Sequence, residues 1–316
     1  MEKANFNYAA DTSEMVLVLR GGEQSVEVKQ RRERIAHIVS LVFIYLFLVV
    51  MSVIVVFPFY WMMITSLKTA ASIQKINPDF YAWPIEWSNY TEAFKRLNFI
   101  VLLRNTLIVG ILSTIGTLIT TILAAFAFAR LNFKGKDFVF TLLLGTMMIP
   151  GEMMVISNYI SVSRLGFTQG GNYVGNFAAM ILPFMVSVFY IYLLRQNFKQ
   201  IPNELYLAAK VDGKSDWSFL WKVMVPLAMP TLTTIFILKL MGAWNSYVWP
   251  NLIATGNSKI YLITNGLRET FNTADDYAEF GRQMAATVVV TVPLLLLFVF
   301  FRKYIMRGVG RAGIKG

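Results

Sequence analysis

Residues 201–230 read IPNELYLAAKVDGKSDWSFLWKVMVPLAMP, a polar island between two long apolar segments. Asn203 is a residue type that caps helices, and the pattern over 204–211 predicts a short helix with small and apolar residues on one face. Gly213 ends that helix because glycine accepts the positive φ that such an end requires. Ser215 then caps a second helix. The stretch therefore predicts a rigid helix–turn–helix at a membrane surface, shaped to dock into a cleft of another protein.

The composition is that of an integral membrane protein. Of the 316 residues, 56% are hydrophobic and only 15% are charged, whereas soluble domains carry about 25% charged residues. There is no cysteine and only one histidine, His37, so we predict neither a catalytic nor a metal site. The net charge of +11 does not indicate a nucleic-acid partner, because in a membrane protein the placement of charge matters more than its sum.

The apolar segments predict an all-α integral membrane protein with six transmembrane helices. About 20 apolar residues cross a bilayer core of ~30 Å, and six segments are of that order. They lie at about residues 35–61, 103–129, 138–160, 174–194, 225–249 and 284–301. Pro150 interrupts the third segment and Pro183 the fourth. A shorter helix is predicted over residues 88–96.

The distribution of basic residues predicts that both chain ends lie inside the cell. Lysine and arginine collect before the first segment, around 201–225 and after the last segment, and such residues favour the cytoplasmic side. The resulting organisation is a cytoplasmic N-terminal tail (1–34), a six-helix region (35–306) with outer loops 62–100 and 250–283, and a cytoplasmic C-terminal tail (307–316). The 201–225 loop then faces the cytoplasm.

The opening stretch resembles the EAA loop of ABC importer permeases, whose pattern is roughly P-x-E-L-x-E-A-A-x-x-D-G followed by L-P. The matching residues are Pro202, Glu204, Leu205, Ala208, Ala209, Asp212, Gly213 and Pro226. Leu207 stands where the family has its second Glu, so this position brings no carboxylate. The order of further motifs, such as AAFAFAR at 124–130 and MIPGE at 148–152, resembles the shorter, six-helix subunit of the maltose-type carbohydrate permeases.

The resemblance implies a type I ABC importer permease fold with a cytoplasmic coupling helix. It implies three kinds of partner besides the lipid bilayer: a second homologous permease, two ATP-binding cassette subunits and an extracellular sugar-binding protein. ATP and Mg would be used by the ATPase subunits, this chain binding no cofactor. The implied location is a bacterial or archaeal plasma (inner) membrane, which the chain crosses several times. The implied coupling residues are Glu204, Leu205, Leu207, Ala208, Ala209, Asp212 and Gly213.

The sequence Gly213-Lys214-Ser215 imitates the end of a phosphate-binding loop. The first glycine of such a loop would fall at residue 208, which is Ala208, and no buried strand precedes it. We therefore interpret the match as a coincidence and predict that ATP is hydrolysed by another subunit.

Two charged residues, Glu152 and Lys239, lie well inside predicted spans, away from their ends. Such charges cost about 2.5–3.5 kcal/mol on insertion scales, so they usually face protein or water. Glu152 either caps a broken helix or acts as a gate; Lys239 either pairs within the complex or lines the pathway and favours an anionic saccharide. Trp244 and Asn245 offer a stacking face and an amide for sugar hydroxyls, or belong to an outer aromatic belt.

An ion-coupled secondary transporter is the alternative function. Such a protein needs buried carboxylates for ion coupling and often shows internal repeats, and here Glu152 is the one carboxylate available in a span. If the chain is an importer permease, its sequence does not distinguish between neutral oligosaccharides, amino sugars, sugar acids and polyol phosphates as substrates.

Overall fold

A computed structural model describes residues 8–169, 172–271 and 277–310, with side chains described over 34–302 apart from Ala278 and the two gaps. Every regular element in these residues is a helix, which confirms the predicted all-α class. Some of the sequence predictions lie outside the described residues: the first residues of the 1–34 tail, residues 272–276 of the 250–283 loop, and residues 311–316 of the C-terminal tail.

The first third of the chain carries two long helices joined by a loop with short ones. Their bounds are α1 (Tyr8–Ser66), α2 (Ala70–Ile73), α3 (Ser88–Arg96) and α4 (Phe99–Ala129). Helix α3 has the bounds predicted for the short helix, and α4 begins four residues before the predicted span. The side chains of residues 34–60 in α1 are exposed, and an apolar surface of that size marks contact with lipid or protein.

Two of the predicted spans, the third and the fourth, are broken and bent near a proline in their middle. Helices α5 (Lys136–Thr146) and α6 (Val155–Arg164) are separated at Pro150 by a 3-10 turn, and the two halves are bent by 89°. Helices α7 (Tyr173–Ile181) and α8 (Val188–Gln200) are separated by a 3-10 turn that contains Pro183, with a bend of 50°. Proline causes both breaks because it lacks the amide hydrogen and clashes with the preceding turn.

The last third begins with the predicted hairpin and ends with a long helix. The elements are α9 (Asn203–Val211), α10 (Asp216–Phe219), α11 (Val225–Leu227), α12 (Met229–Trp244), α13 (Val248–Ala254), α14 (Ile263–Thr270) and α15 (Tyr277–Gly310). A π-helical turn over Leu220–Met224 joins α10 to α11. The chain bends by 76° where α12 begins, so α12 starts at Met229, four residues later than the predicted fifth span.

By length and apolar character, three helical stretches of the described residues can each cross a membrane. They are Arg34–Ser66, Phe99–Ala129 and Glu279–Arg302. The count rises to six if each bent pair is one span, so the six-helix count remains a prediction.

Helix α4 is the centre of the packed unit formed by the residues after Trp61. Its buried side is rich in small and hydroxyl residues, among them Ser113, Thr114, Gly116 and Thr117, and small residues let neighbouring backbones approach closely. Helices α8 and α12 pack against it. One apolar cluster in this region contains Phe126 of α4, Leu194 and Phe198 of α8, and Ile235 of α12.

The amide of Asn105 ties the loop before α14 to the beginning of α4. Asn105 is fully buried, and its Nδ2 donates to the carbonyl oxygens of Lys259 at 2.9 Å and Tyr261 at 3.1 Å. A buried carbonyl left without a donor costs about 1–3 kcal/mol. Asn105 thus supplies a donor to both carbonyls.

We predict that Asn105→Leu destabilises the chain by about 2 kcal/mol, since two carbonyls lose their donor. The measurement is the unfolding temperature of the purified chain in detergent. Thr121→Val is the matched control on the same helix: the Thr121 hydroxyl is buried and has no hydrogen-bond partner, so its removal should leave that temperature unchanged or raise it. Equal losses for the two variants would contradict the prediction.

Candidate functional site

The turn of the 201–230 stretch has the geometry that its glycine predicts. Gly213 has a φ of +70°, and the amide of Lys214 donates to the carbonyl of Ala209 at 2.9 Å across the end of α9. The Ser215 hydroxyl accepts a hydrogen bond from the amide of Ser218 at 3.2 Å and so caps α10. The predicted helix, break and second cap are all present.

A side-chain cluster fixes the angle between α9 and α10. The Asp216 carboxylate accepts a hydrogen bond from the Tyr206 hydroxyl at 2.7 Å and pairs with the Lys210 ammonium at 2.7 Å. The hydrogen bond to Asp216 raises the pKa of Lys210 above its ordinary value. The Tyr206 ring packs edge-on against Phe219 at 5.2 Å. The hairpin is thus held by contacts between its two arms as well as by its turn.

Arg130, just after α4, holds the base of the hairpin. Its Nη2 donates to the carbonyl of Phe198 at 2.9 Å and also to that of Ile201, which are at the C-terminal end of α8 where carbonyls lack helical partners. Its Nη1 donates to the Asn203 side chain at 3.1 Å. The expectation that Asn203 caps α9 is therefore wrong: Pro202 is at that position and the Asn203 oxygen faces Arg130.

Helix α9 presents one face to the outside and the other to the core. Glu204, Leu205, Leu207, Ala208, Asp212 and Gly213 are exposed. Ala209 instead packs with Tyr206 against the apolar cluster of α4, α8 and α12. The predicted coupling residues are thus together on one surface with the exception of Ala209.

Three apolar residues that the sequence analysis did not select extend this surface. Val211 is 89% exposed, and Trp217 and Trp221 are 62% and 38% exposed, with their rings edge-on at 5.6 Å. The exposure of Val211 could have been predicted from its spacing. It follows Ala208 by three residues, and residues three and four apart share a helix face. We call Leu205, Leu207, Ala208, Val211 and Trp217 the hairpin surface.

A cavity of about 410 Å³ lies between α4, the α7–α8 break, α12 and α13. It is lined by apolar and aromatic residues, small residues and hydroxyls: Val109, Ser113, Met180, Phe184, Val186, Ser187, Tyr190, Leu238, Lys239, Gly242, Ala243, Ser246, Trp249, Pro250 and Leu262. The Lys239 ammonium donates to the carbonyl of Phe184 at 2.9 Å. We call this space the central cavity.

The structure brings one of the four predicted pathway residues to the central cavity. Lys239 lines it, whereas Trp244 is only 6% exposed and packs among Ala93, Leu97, Ile263 and other apolar residues. Asn245 is exposed at the end of α12.

Glu152 is exposed in the 3-10 turn after Pro150, so its side chain faces outward at the helix break. The tryptophan that does line the cavity is Trp249, whose Nε1 donates to the carbonyl of Ala179 at 3.1 Å. Tyr190 and Ser187 also line it and were missed, because their position depends on the bend between α7 and α8.

Comparison with known proteins relates this chain to transport permeases. Residues 27–311 match the family model described as binding-protein-dependent transport system inner membrane component. The arabinooligosaccharides transport system permease protein AraQ of Bacillus subtilis (strain 168) is 26% identical over 274 residues, covering 86% of this chain and 94% of that protein. The sn-glycerol-3-phosphate transport system permease protein UgpE of Brucella abortus (strain 2308) is 28% identical over 273 residues, covering 84% and 94%.

The fold also matches a solved structure. A crystal structure of a bacterial ABC transporter involved in the import of the acidic polysaccharide alginate contains a chain that superimposes with a TM-score of 0.73 at 24% identity. The match covers 87% of the present chain and 98% of the other. At that identity the likeness concerns the fold.

We predict that Arg130→Lys loosens the base of the hairpin. A lysine supplies one compact charge in place of the planar set of donors that reaches three acceptors at once, so the amides over 198–204 should exchange about tenfold faster, as the loss of one charged hydrogen bond implies. Hydrogen–deuterium exchange with mass spectrometry measures this. Lys134→Met, an exposed change in the adjacent loop, is the control, and equal exchange in the three proteins would contradict the prediction.

Proposed function

The chain belongs to the family of binding-protein-dependent transport system inner membrane components, and from that premise we propose that it is a permease subunit of an ATP-driven sugar importer. In this role it forms half of a translocation pathway, and a second, homologous permease forms the other half. ATP and Mg are used by two ATP-binding cassette subunits, and an extracellular sugar-binding protein delivers the substrate. The observation that carries the proposal is the hairpin surface, an exposed apolar face on a rigidly held helix.

The hairpin surface supports docking to an ATPase subunit. Leu207 is 56% and Val211 89% exposed, and grouped apolar side chains of this kind mark contact surfaces. Small residues such as Ala208 let a partner's backbone come close. Asp216 and Arg130 hold both arms of the hairpin, so a push on α9 is passed on with little internal bending.

The apolar cluster behind α9 offers a route from the hairpin to the central cavity. Tyr206 packs against Phe219, and the same cluster contains Leu194 and Phe198 of α8 and Leu232 of α12. The two helices reached in this way, α8 and α12, also supply Tyr190 and Lys239 to the cavity. Closure of the ATPase subunits would therefore move cavity walls, which is how alternating access arises from rigid-body shifts of packed helices.

The central cavity supports a saccharide as the transported molecule. Trp249 and Tyr190 offer aromatic surface, and Ser113, Ser187 and Ser246 offer hydroxyls, a mixture that suits a ring with one apolar face and many hydroxyl groups. The name of AraQ refers to arabinooligosaccharides and points in the same direction, whereas the name of UgpE refers to sn-glycerol-3-phosphate, a polyol phosphate. The basic residues around 201–225 favour the cytoplasmic side for the hairpin, where ATP is available.

Purification of the tagged chain from its native cells, after gentle solubilisation, tests the proposal. Recovery of an ATPase subunit and a second permease, together with saccharide uptake by the reconstituted complex that requires ATP and the binding protein, is the expected result. Recovery of the chain alone, with uptake that continues without ATP, would overturn it. In that case the protein would be a secondary transporter.

We predict that Ala208→Arg prevents docking of the ATPase subunit but leaves the fold intact. Ala208 is on the exposed face, where a long side chain meets the partner rather than the core. The ATPase subunit recovered with the tagged chain should fall by about tenfold or more, as for loss of a central contact. The unfolding temperature of the chain should stay the same.

Two variants control this experiment. Ala209→Arg places the same side chain against the apolar cluster, so it should lower the unfolding temperature. Thr91→Arg adds an exposed arginine on α3, far along the chain from the hairpin, and should change neither quantity. Full recovery of the ATPase subunit with Ala208→Arg would show that this face is not the docking surface.

A further inference from the structure

We infer that the central cavity binds an anionic saccharide, one that carries a carboxylate or a phosphate, and that Lys239 is the residue that recognises the negative charge. The inference rests on the proposed function and narrows its substrate class. It depends on the surroundings of Lys239, on a second basic pocket further along α4, and on the chemistry of the residues between them.

Lys239 is a cation without a carboxylate partner in the cavity that it lines. None of the lining residues is acidic, and among the described residues no carboxylate forms an ion pair with the Lys239 ammonium. An ammonium group has three donors, and the carbonyl of Phe184 takes one of them. A charge in an apolar span is costly unless something compensates it. An anionic ligand in the cavity would supply that compensation and accept the remaining donors.

The rest of the lining suits the sugar that carries such a charge. Tyr190, Ser187 and Ser246 provide neutral hydroxyls, which bind hydroxyl groups without competing for the ammonium. Phe184 packs edge-on against Trp249 at 5.5 Å, so the cavity has an aromatic wall. A compact lysine charge is well suited to a carboxylate or phosphate in water-filled space, because it binds as a point charge without a fixed fork.

A second pocket of about 340 Å³ with the same character lies at the N-terminal end of α4. It is lined by Val101, Arg104, Tyr173, Phe177 and Lys259, which are two cations, two aromatic residues and a valine. Arg104 precedes Ser113 of the central cavity by nine residues, which is about 14 Å along a helix. On α7, Phe177 of this pocket and Met180 of the central cavity are three residues apart and hence neighbours on one side.

Basic and aromatic residues therefore recur in two pockets along the same helices. Clefts lined by charge of one sign raise the local concentration of the opposite ion. The pocket with Arg104 would attract an anionic saccharide, and the central cavity with Lys239 would receive it. A neutral saccharide can accept hydrogen bonds from either cation but gains no charge–charge attraction, so the two pockets together favour an anionic one.

Lys239 has a second role that the experiment must separate from the first. The carbonyl of Phe184 lies at the α7–α8 break, and it accepts hydrogen bonds from both Lys239 and the Thr117 hydroxyl, the latter at 3.1 Å. A change at Lys239 therefore also disturbs the break. Thr117→Val is the matched control, because it removes a donor from the same carbonyl without changing the charge of the cavity.

The first test uses the absence of cysteine from the chain. Ser246→Cys places one thiol in the cavity lining of the assembled transporter, and its rate of reaction is compared for sulfonatoethyl and trimethylammonioethyl methanethiosulfonate, an anionic and a cationic reagent. The anionic reagent should react faster, and adding Lys239→Met should reduce its advantage by about tenfold. Adding Thr117→Val should leave the advantage unchanged. Equal effects of Lys239→Met and Thr117→Val, or no preference at the start, would overturn the inference.

The second test measures ATP-dependent uptake by the assembled transporter in proteoliposomes with its binding protein. The probes are 4-linked digalacturonate and its neutral counterpart 4-linked galactobiose. Lys239→Met should lower the ratio of anionic to neutral uptake about tenfold, Lys239→Arg should keep it, and Thr117→Val should lower both uptakes alike. A ratio that does not respond to Lys239→Met would overturn the inference with the proposed function intact. A reagent preference without ATP-dependent saccharide uptake would instead overturn the proposed function.

Discussion

A backbone carbonyl freed by a helix break in an apolar environment must find a donor, and this constraint organises the centre of the molecule. Pro183 breaks the chain between α7 and α8, and the freed carbonyls of Phe184 and Met185 accept hydrogen bonds from Thr117, Thr120 and Lys239. Water satisfies such groups in a soluble protein, whereas within a membrane neighbouring helices must do so. The break is therefore also the place where α4, α8 and α12 meet.

Helix α8 joins the hairpin to the central cavity. Its N-terminal end borders the central cavity through Ser187 and Tyr190, and its C-terminal carbonyls are held by Arg130 beside the hairpin. Both ends are thus fixed by side chains that come from α4 or follow directly after it. Because α8 packs against α4, it offers a direct mechanical route between the hairpin and the cavity.

The local structure of the hairpin was predictable because it depends on neighbouring residues. Gly213 and Ser215 determine the turn and the second cap within a few positions, and the short helix 88–96 follows from the same kind of signal. Asn203 was wrongly predicted to cap α9 because its side-chain oxygen accepts a hydrogen bond from Arg130, which is 73 positions away in the sequence. The tendency of asparagine to cap a helix is overridden when a distant charged donor competes for the same side-chain oxygen.

The sequence by itself determined the class of the protein, the position of its apolar segments, and the hairpin with its family pattern, because each of these depends on composition or on short-range spacing. Only the tertiary structure decided which residues share a site. Ala208 and Ala209 are the same residue type side by side, yet one is exposed and the other packs inward. Likewise Trp249 rather than Trp244 lines the central cavity. These outcomes depend on the rotation of each helix about its axis, which is set by packing against distant helices and by the bends at proline.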